Sequence, residues 1–579
     1  MLKSFKLLIT ALLLSVSSMA QQKQVFIQQT ANTVTLWNNA IEVIFNKSTS
    51  NITYVKKGSS ANLLGSKGRA YLNGPDFGMS DCTFKVVREQ PDLIELSFYH
   101  DAADHFQYDL HYIMRAGISG VYCFLLEHHD AKAPEAYYGQ TRWGISADEN
   151  LFNYHLVRDN HQGPMPNMKV DFNDKVSDWT FRLPDSSYYS KYDYADYIED
   201  KHVHGMAGQR SGYGMFVIQA AFEYLLGGPT KQFQNVHAGP FLICTLNDGH
   251  FLWDNRPSDN AITGEWSKLS GPFLLYVNTG KNVKDIWDDA KKQSEKEILQ
   301  WPYLWMKNAE YPLEAERGTV SGTLRFADGA KAKQAHVILA ASDIDWQAQA
   351  KGCMFFTKTD ENGNFVLKNV RPGNYCMYTY GCDVTDEFGK RDIIVAPGKT
   401  NDLGTLTWLT SNYKKLWQIG TADRFTDGFK FSDHPRNYEV WMHVPANINY
   451  TIGKSNPAED WYYAQTQTGI WNVLFNVNEA YKGEGIITVG IAGAAKNAQY
   501  DVFLNDEMLG KYYFGNDCSV YRSAIRGGYY QKLEVKFPAK LLKQGENKVS
   551  FKLPHCKPGG GILYDVVKLE INDKPTTSK

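Results

Sequence analysis

Residues 21 to about 300 run as one short β-type segment after another, and this pattern limits the fold more than any other feature of the chain. The stretch TANTVTLWNNAIEVIFNKSTSNITYVKKG alternates apolar and polar residues over a few positions, then breaks at Asn, Lys or Gly. DLIELSFYH and FQYDLHYIMRAG continue it. Runs of that length and period bury one face each, so they predict a large antiparallel β-sandwich over residues 21–308 and a mainly β fold class. The one segment with helical character is NVKDIWDDAKKQSEKEILQWPYLWM, with an Asn cap, early acidic residues and a proline stop; it closes this region.

Two further β units follow. Residues 309–410 contain GTVSGTLRFADGAKAKQAHVILAAS, TKTDENGNFVLKNVRPGNYCMYTYG and DIIVAPGKTNDLGTLTW. About six or seven short strands between Gly- and Asn-rich turns predict a fibronectin type III-like sandwich. Residues 411–579 open with KKLWQIGTADRFTDGFKF and end in GGGILYDVVKLEI, a strand-rich pattern of the jelly-roll, carbohydrate-binding type. Trp441, Trp461, Tyr462, Tyr463 and Trp471 give this unit many aromatic faces, suited either to a glycan platform or to a sandwich core.

The N-terminus reads as a secretory signal peptide over residues 1–20: MLKSFK is cationic, LLITALLLSV is apolar, and SSMA supplies small residues before a cut at Gln21. No cysteine follows that cut and no later segment is a long apolar run, so no membrane anchor is expected and the mature protein is expected to be secreted or periplasmic. The formal charge of −2 holds no basic excess, which argues against a nucleic-acid partner. A monomer is expected. The 8 cysteines show no CxxC pair, which argues against a zinc site; Cys353 with Cys376 or Cys382, and Cys518 with Cys556, are the candidate disulfide pairs.

The chain shows no GxSxG elbow, P-loop, HExxH or helix-feeding GxGxxG. DENGN at 360–364 is a turn and a weak calcium-loop candidate, so a structural calcium ion is compatible with the sequence. Most of the histidines precede residue 251, which places chemistry in the first unit. There the tyrosine-rich stretch SSYYSKYDYADYIEDKHVHG surrounds Lys191, and carboxylates such as Asp196, Glu199 and Asp200 lie nearby. On its own Lys191 reads as a surface residue with a snorkelling stem, and the acids as a solvated face.

Three stretches in order change that reading: YYGQTRWGISADENLFNY with Arg142, SKYDY with VHG after it, and FLICTLNDGHFLWDN with His250. Their order resembles that of the rhamnogalacturonan lyases, polysaccharide lyase family 4. The GTVSG opening and RPGNY turn of the second unit, and the IGTAD opening and YDVVKL strand of the third, are similar to that family's three-domain plan. The resemblance implies a galactose-mutarotase-like catalytic sandwich, a pectic polysaccharide (rhamnogalacturonan I) as partner, and no required cofactor. It places the catalytic lysine on Lys191, the catalytic histidine on His250 and the carboxylate-binding arginine on Arg142. The chain departs from fungal members where they carry two tyrosines before the histidine; those positions are Ile243 and Thr245 here, with Tyr192 and Tyr194 as substitutes for their substrate contacts.

The implied residue types suit β-elimination. The proton at C5 of a uronate lies α to a carboxylate and is weakly acidic; a bidentate guanidinium would stabilise the enediolate-like transition state. A lysine must lose part of its basicity to act as the base, and an imidazole suits protonation of the departing O4. His204 and His202 are contenders for that acid or for substrate contact, and His237 is a more distant one. Trp143, Tyr188 and Tyr189 fit either sugar stacking or the core. Two other readings remain open on sequence grounds: a non-catalytic glycan-binding protein, and a glycoside hydrolase using two of the carboxylates.

Overall fold

The alternation in the first unit becomes two antiparallel sheets face to face. In this computed structural model, residues 24–572 are described apart from 75–77, 198, 200, 201, 226, 248–259, 342–344, 412, 433–437 and 525–527. An eight-stranded sheet runs Phe26–Gln29, Thr33–Trp37, Glu42–Asn46, Ile52–Lys56, Arg69–Asn73, Thr141–Ser146, Phe241–Asn247, Val236–His237. A nine-stranded sheet packs on it, with Trp266–Thr279, Gly120–His129 and Gln107–Arg115 near its centre. Every second residue of the strands enters the shared core: Val34, Leu36, Val43 and Phe45 from one sheet, Leu96, Phe98, Leu110 and Leu125 from the other. Trp143 is part of this core, and its indole N–H donates to the Tyr112 hydroxyl across the layer at 3.1 Å.

The outer face of the nine-stranded sheet is covered by the helix Val283–Gln300. It starts where the sequence signals it: the Asn282 side chain accepts from the Asp285 amide. Ile286, Trp287 and Ala290 pack on Phe216 and Tyr276. Glu297 is buried in the same helix face, where the Tyr122 and Tyr303 hydroxyls donate to its carboxylate at 3.0 and 2.7 Å; a buried carboxylate is tolerated when its lone pairs are satisfied.

The second unit is a three-stranded sheet centred on Gly318–Phe326, facing a four-stranded sheet of Phe355–Lys358, His336–Ala340, Gly373–Gly381 and Val384–Val395. One of its pairings, Gly318–Phe326 with Thr400–Trp408, is parallel. The third unit packs two five-stranded sheets, so the chain is a mainly β, multidomain sandwich protein. In this unit the choice between platform and core falls to the core: Trp441, Trp461, Tyr463 and Trp471 are buried together, and only Tyr462 is partly exposed.

The units are tied by buried polar contacts. Glu223 of the first sits between Arg317 and Arg371 of the second, at 2.6 and 2.7 Å. Arg424 of the third reaches Glu387 of the second at 2.6 Å and lies over the Tyr380 ring. The disulfide expectation is corrected: none of the 8 cysteines is bonded to another. The thiols point to separate partners, that of Cys382 to the Lys333 carbonyl at 3.1 Å and that of Cys556 to the Lys557 carbonyl at 3.7 Å. DENGN is a turn, in which Asp360 accepts from the Asn362 and Asn364 amides at 2.8 Å. No described helix is long and apolar enough to cross a membrane.

Candidate active site

Arg142 stands on the outward face of the eight-stranded sheet because strand alternation sends its neighbour Trp143 inward. Its cross-strand partners are Asn73 on one side and Thr245 on the other. Residues paired this way share a face, so the three form one row. The Arg142 Nε–H donates to Asn73 Oδ1 at 3.3 Å, which leaves most of the guanidinium edge for another acceptor.

Lys191 is brought to the same region by a small three-stranded sheet, Asp174–Ser177, Thr180–Arg182 and Tyr188–Ser190. The chain turns immediately after this last strand. The Lys191 amide donates to the Trp179 carbonyl at 3.1 Å, the Lys191 carbonyl accepts from Gln234 at 3.2 Å, and the Asp193 carboxylate caps the turn through the Ser190 amide at 2.8 Å. The backbone is therefore fixed on both sides. The Lys191 side chain is 14% exposed; its amine lies 3.2 Å from Asp178 Oδ1 and 5.0 Å from the centre of the Tyr192 ring.

Asp178 and Trp179 form the two-residue tip of the hairpin above this amine. Trp179 has a φ of 43°, a left-handed conformation that a bulky residue seldom adopts. That backbone leaves the Asp178 carboxylate shared: Oδ1 meets Lys191, while Oδ2 accepts from the Tyr192 hydroxyl at 2.6 Å and lies 3.6 Å from Arg522 of the third unit.

Electrostatics link the lysine to the arginine. Burial lowers the proton affinity of the Lys191 amine; the Asp178 carboxylate opposes this, the Arg522 and Arg142 guanidinium groups reinforce it, and the amine ends below the ordinary lysine value. Both Lys191 and Arg142 also act on His237. Burial, with those two cations and against the Ala238 carbonyl, brings its imidazole down to about 4. The ring is wedged between Trp179 and Phe241, at 5.0 and 4.9 Å, with Nδ1 at 2.7 Å from the Ala238 oxygen.

Lys191 and Arg142 thus converge. His250 lies outside the described residues; the strand Phe241–Asn247 stops with Asn247 opposite Thr141, beside Arg142. Tyr192 is buried beneath Lys191 with its hydroxyl on Asp178, and Tyr194 is stacked face to face on His155 at 3.7 Å. Both rings are occupied by protein neighbours rather than offered as open faces. His204 is buried, with Nε2 2.6 Å from the Ile243 carbonyl, and burial brings it down to about 4; it braces the strand instead of facing out. His202 is directed elsewhere, its Nδ1 2.7 Å from the Gln219 carbonyl. Of the carboxylates near Lys191 in sequence, Asp196 forms an ion pair with Arg158 at 2.5 Å and Glu199 one with Lys358, while Asp200 lies outside the described residues. Tyr189 is buried, its hydroxyl bridging His155 and the Ala238 amide.

Three residues at this site carry no local sequence signal: Asp178, Trp179 and Arg522. Only the hairpin geometry exposes the first two, and only domain packing brings in the third.

Comparison with known proteins follows the same domain order. Residues 13–182 match the rhamnogalacturonate lyase family, 317–403 match polysaccharide lyase family 4 domain II, and 415–569 match the carbohydrate-binding-like domain III of that family. A protein of Dickeya dadantii (strain 3937) named rhamnogalacturonate lyase is 34% identical over 498 residues, which span 84% of this chain and 82% of that one. A probable rhamnogalacturonate lyase B of Aspergillus niger is 22% identical across 91% of this chain and 87% of its own length. Fold and domain order together define a multidomain polysaccharide lyase. The chain belongs to the rhamnogalacturonate lyase family, polysaccharide lyase family 4.

Proposed function

We infer that this protein is a rhamnogalacturonan-cleaving polysaccharide lyase in which Lys191 is the general base, Arg142 the carboxylate neutraliser and His250 the general acid. The substrate follows from the family and from relatives named rhamnogalacturonate lyases. The observation that supports the roles of Lys191 and Arg142 is a largely buried amine, 3.2 Å from Asp178, that feels the charge of an outward-facing arginine; the role of His250 rests on the family resemblance alone.

The chemistry is elimination across C4 and C5 of a galacturonate. Arg142 binds its carboxylate, which lets charge accumulate as the C5 proton leaves. Lys191 takes that proton. The C5–H electrons form the C4=C5 double bond, the C4–O4 bond to rhamnose breaks, and the departing O4 takes a proton from His250. The products are a 4,5-unsaturated galacturonate end and a free sugar hydroxyl; the scheme calls for no metal or organic cofactor. The cut bond is the rhamnosyl-(1→4)-galacturonate linkage. Action outside the cytoplasm, in the periplasm or medium, belongs to the same proposal.

The test is ultraviolet absorbance of the unsaturated uronate when the protein is incubated with rhamnogalacturonan. A lyase raises it. Reducing ends without absorbance would mean hydrolysis, and neither signal would mean binding alone. Lys191→Ala and His250→Ala, each folded, should abolish the absorbance; either variant at near wild-type rate overturns that residue's role.

A further inference from the structure

The third unit reaches further into this site than a brace requires. A turn at 518–524 is held within its own domain by Asp517, whose carboxylate accepts from the Ala494 and Ser519 amides at 2.9 Å. It is held to the first domain by Ala524, which packs on Tyr192 and Ala195, and by the Ser523 carbonyl, which accepts from Gln232 at 3.5 Å. A second attachment lies on the other side of the Lys191 turn, where Asp193 accepts from the Tyr438 amide at 3.1 Å. Between these attachments Arg522 extends over the Tyr192 ring, its guanidinium carbon 5.0 Å from the ring centre and its Nη2 3.6 Å from Asp178 Oδ2. Tyr192 is therefore covered by two cations, Lys191 and Arg522, and Asp178 touches both.

This arrangement bears on a problem that the proposed reaction poses. An amine 3.2 Å from a carboxylate is ordinarily held protonated, and a protonated amine cannot take the C5 proton. We propose that the C-terminal domain completes the active site: Arg522 shares Asp178 with Lys191, so that the carboxylate positions the amine without holding its proton. Asp178 and Arg522 are positioning residues in this scheme, and the scheme rests on Lys191 being the base.

The charges around the amine are distributed accordingly. Asp178 comes from the hairpin tip, Arg142 from the large sheet and Arg522 from the third domain; the neutral His237 and Tyr192 complete the surroundings. Burial resists ionisation of Asp178, yet the Tyr192 hydroxyl, Lys191 and Arg522 hold its carboxyl below the usual aspartate value. A carboxylate stabilised from three sides is a weaker attractor for any one cation. Arg522 adds direct repulsion of a protonated Lys191, since a guanidinium cannot yield its own proton.

The experiment compares pH–rate profiles of the full-length protein and its variants on rhamnogalacturonan. Arg522→Gln should move the rising limb of kcat to higher pH by about one unit, and Asp178→Asn should move it to lower pH. Arg522→Lys, which keeps a cation at the site, should restore most of the Gln shift. A uniform loss across the pH range, or no change, would overturn the proposal, because a structural or substrate-gripping arginine lowers the curve without moving its limb. Where a variant is too slow to assay, the pH dependence of Lys191 acylation, read by mass spectrometry of its peptide, must show the same shift. An active Lys191→Ala would instead remove the reading of the base itself, whatever Arg522 does.

Discussion

The amine of Lys191 and Oδ1 of Asp178 lie 3.2 Å apart, with the lysine largely enclosed and the aspartate half exposed. An ion pair of this asymmetry keeps the amine in place while solvent screens part of the attraction. The lysine is held rather than free to snorkel, as a base that must meet a particular carbon requires.

Lys191→Arg tests the base directly. Arginine keeps the charge and the contact with Asp178, but it stays protonated. Formation of unsaturated uronate should fall by about 10²–10⁴-fold, while calorimetry should show oligosaccharide binding within a few-fold of wild type. A rate near wild type would remove Lys191 from the mechanism.

Arg142→Ala should lower kcat on a free galacturonate by about 10²–10³-fold, the range seen when a donor to a developing oxyanion is lost. The loss should be smaller on a methyl-esterified substrate, whose carboxyl carries no charge to neutralise. Equal losses on both substrates would contradict its role.

Glu223 provides a stability test away from the chemistry. Burial resists its ionisation, but Arg371 and Arg317 hold the carboxyl below the usual glutamate value of 4.5. Its contribution is thus present above that value and lost as pH falls through the lower folded-state one. Glu223→Gln leaves two arginines facing a neutral amide and should cost about 3–5 kcal/mol near neutrality, read from denaturant or thermal unfolding. The gap between variant and wild type should narrow in acid.

His111 shows the opposite sign. Burial disfavours its charged form, yet Asp109 and Glu95 raise its pKa from 6.5 to about 9. The stabilisation is complete below the unfolded value and lost as pH rises through the folded one. Wild type should lose melting temperature between about pH 6.5 and 9 more steeply than His111→Asn. Parallel slopes would mean that the imidazole is neutral in the folded protein.

The sandwich strands and the helix after Asn282 were legible because period-two alternation and an N-cap are local signals. Lys191 and Arg142 became legible only through motif order, since nothing within twenty residues of either reveals a shared site. Tyr192 and Tyr194 illustrate a limit of composition: a tyrosine ring suits a sugar or a core equally, and neighbours such as His155 decide which. Asp178, on a hairpin tip, looks like any turn aspartate until the fold sets it against Lys191. Arg522 was beyond reach, since its partners lie in another domain and no periodicity connects them.

The thiols carry a practical consequence. With Cys382 and Cys556 directed at carbonyls and no sulfur bonded to another, the fold stands without covalent cross-links. Dithiothreitol should leave its unfolding curve unmoved, and cells that lack oxidative folding catalysts should still yield active protein.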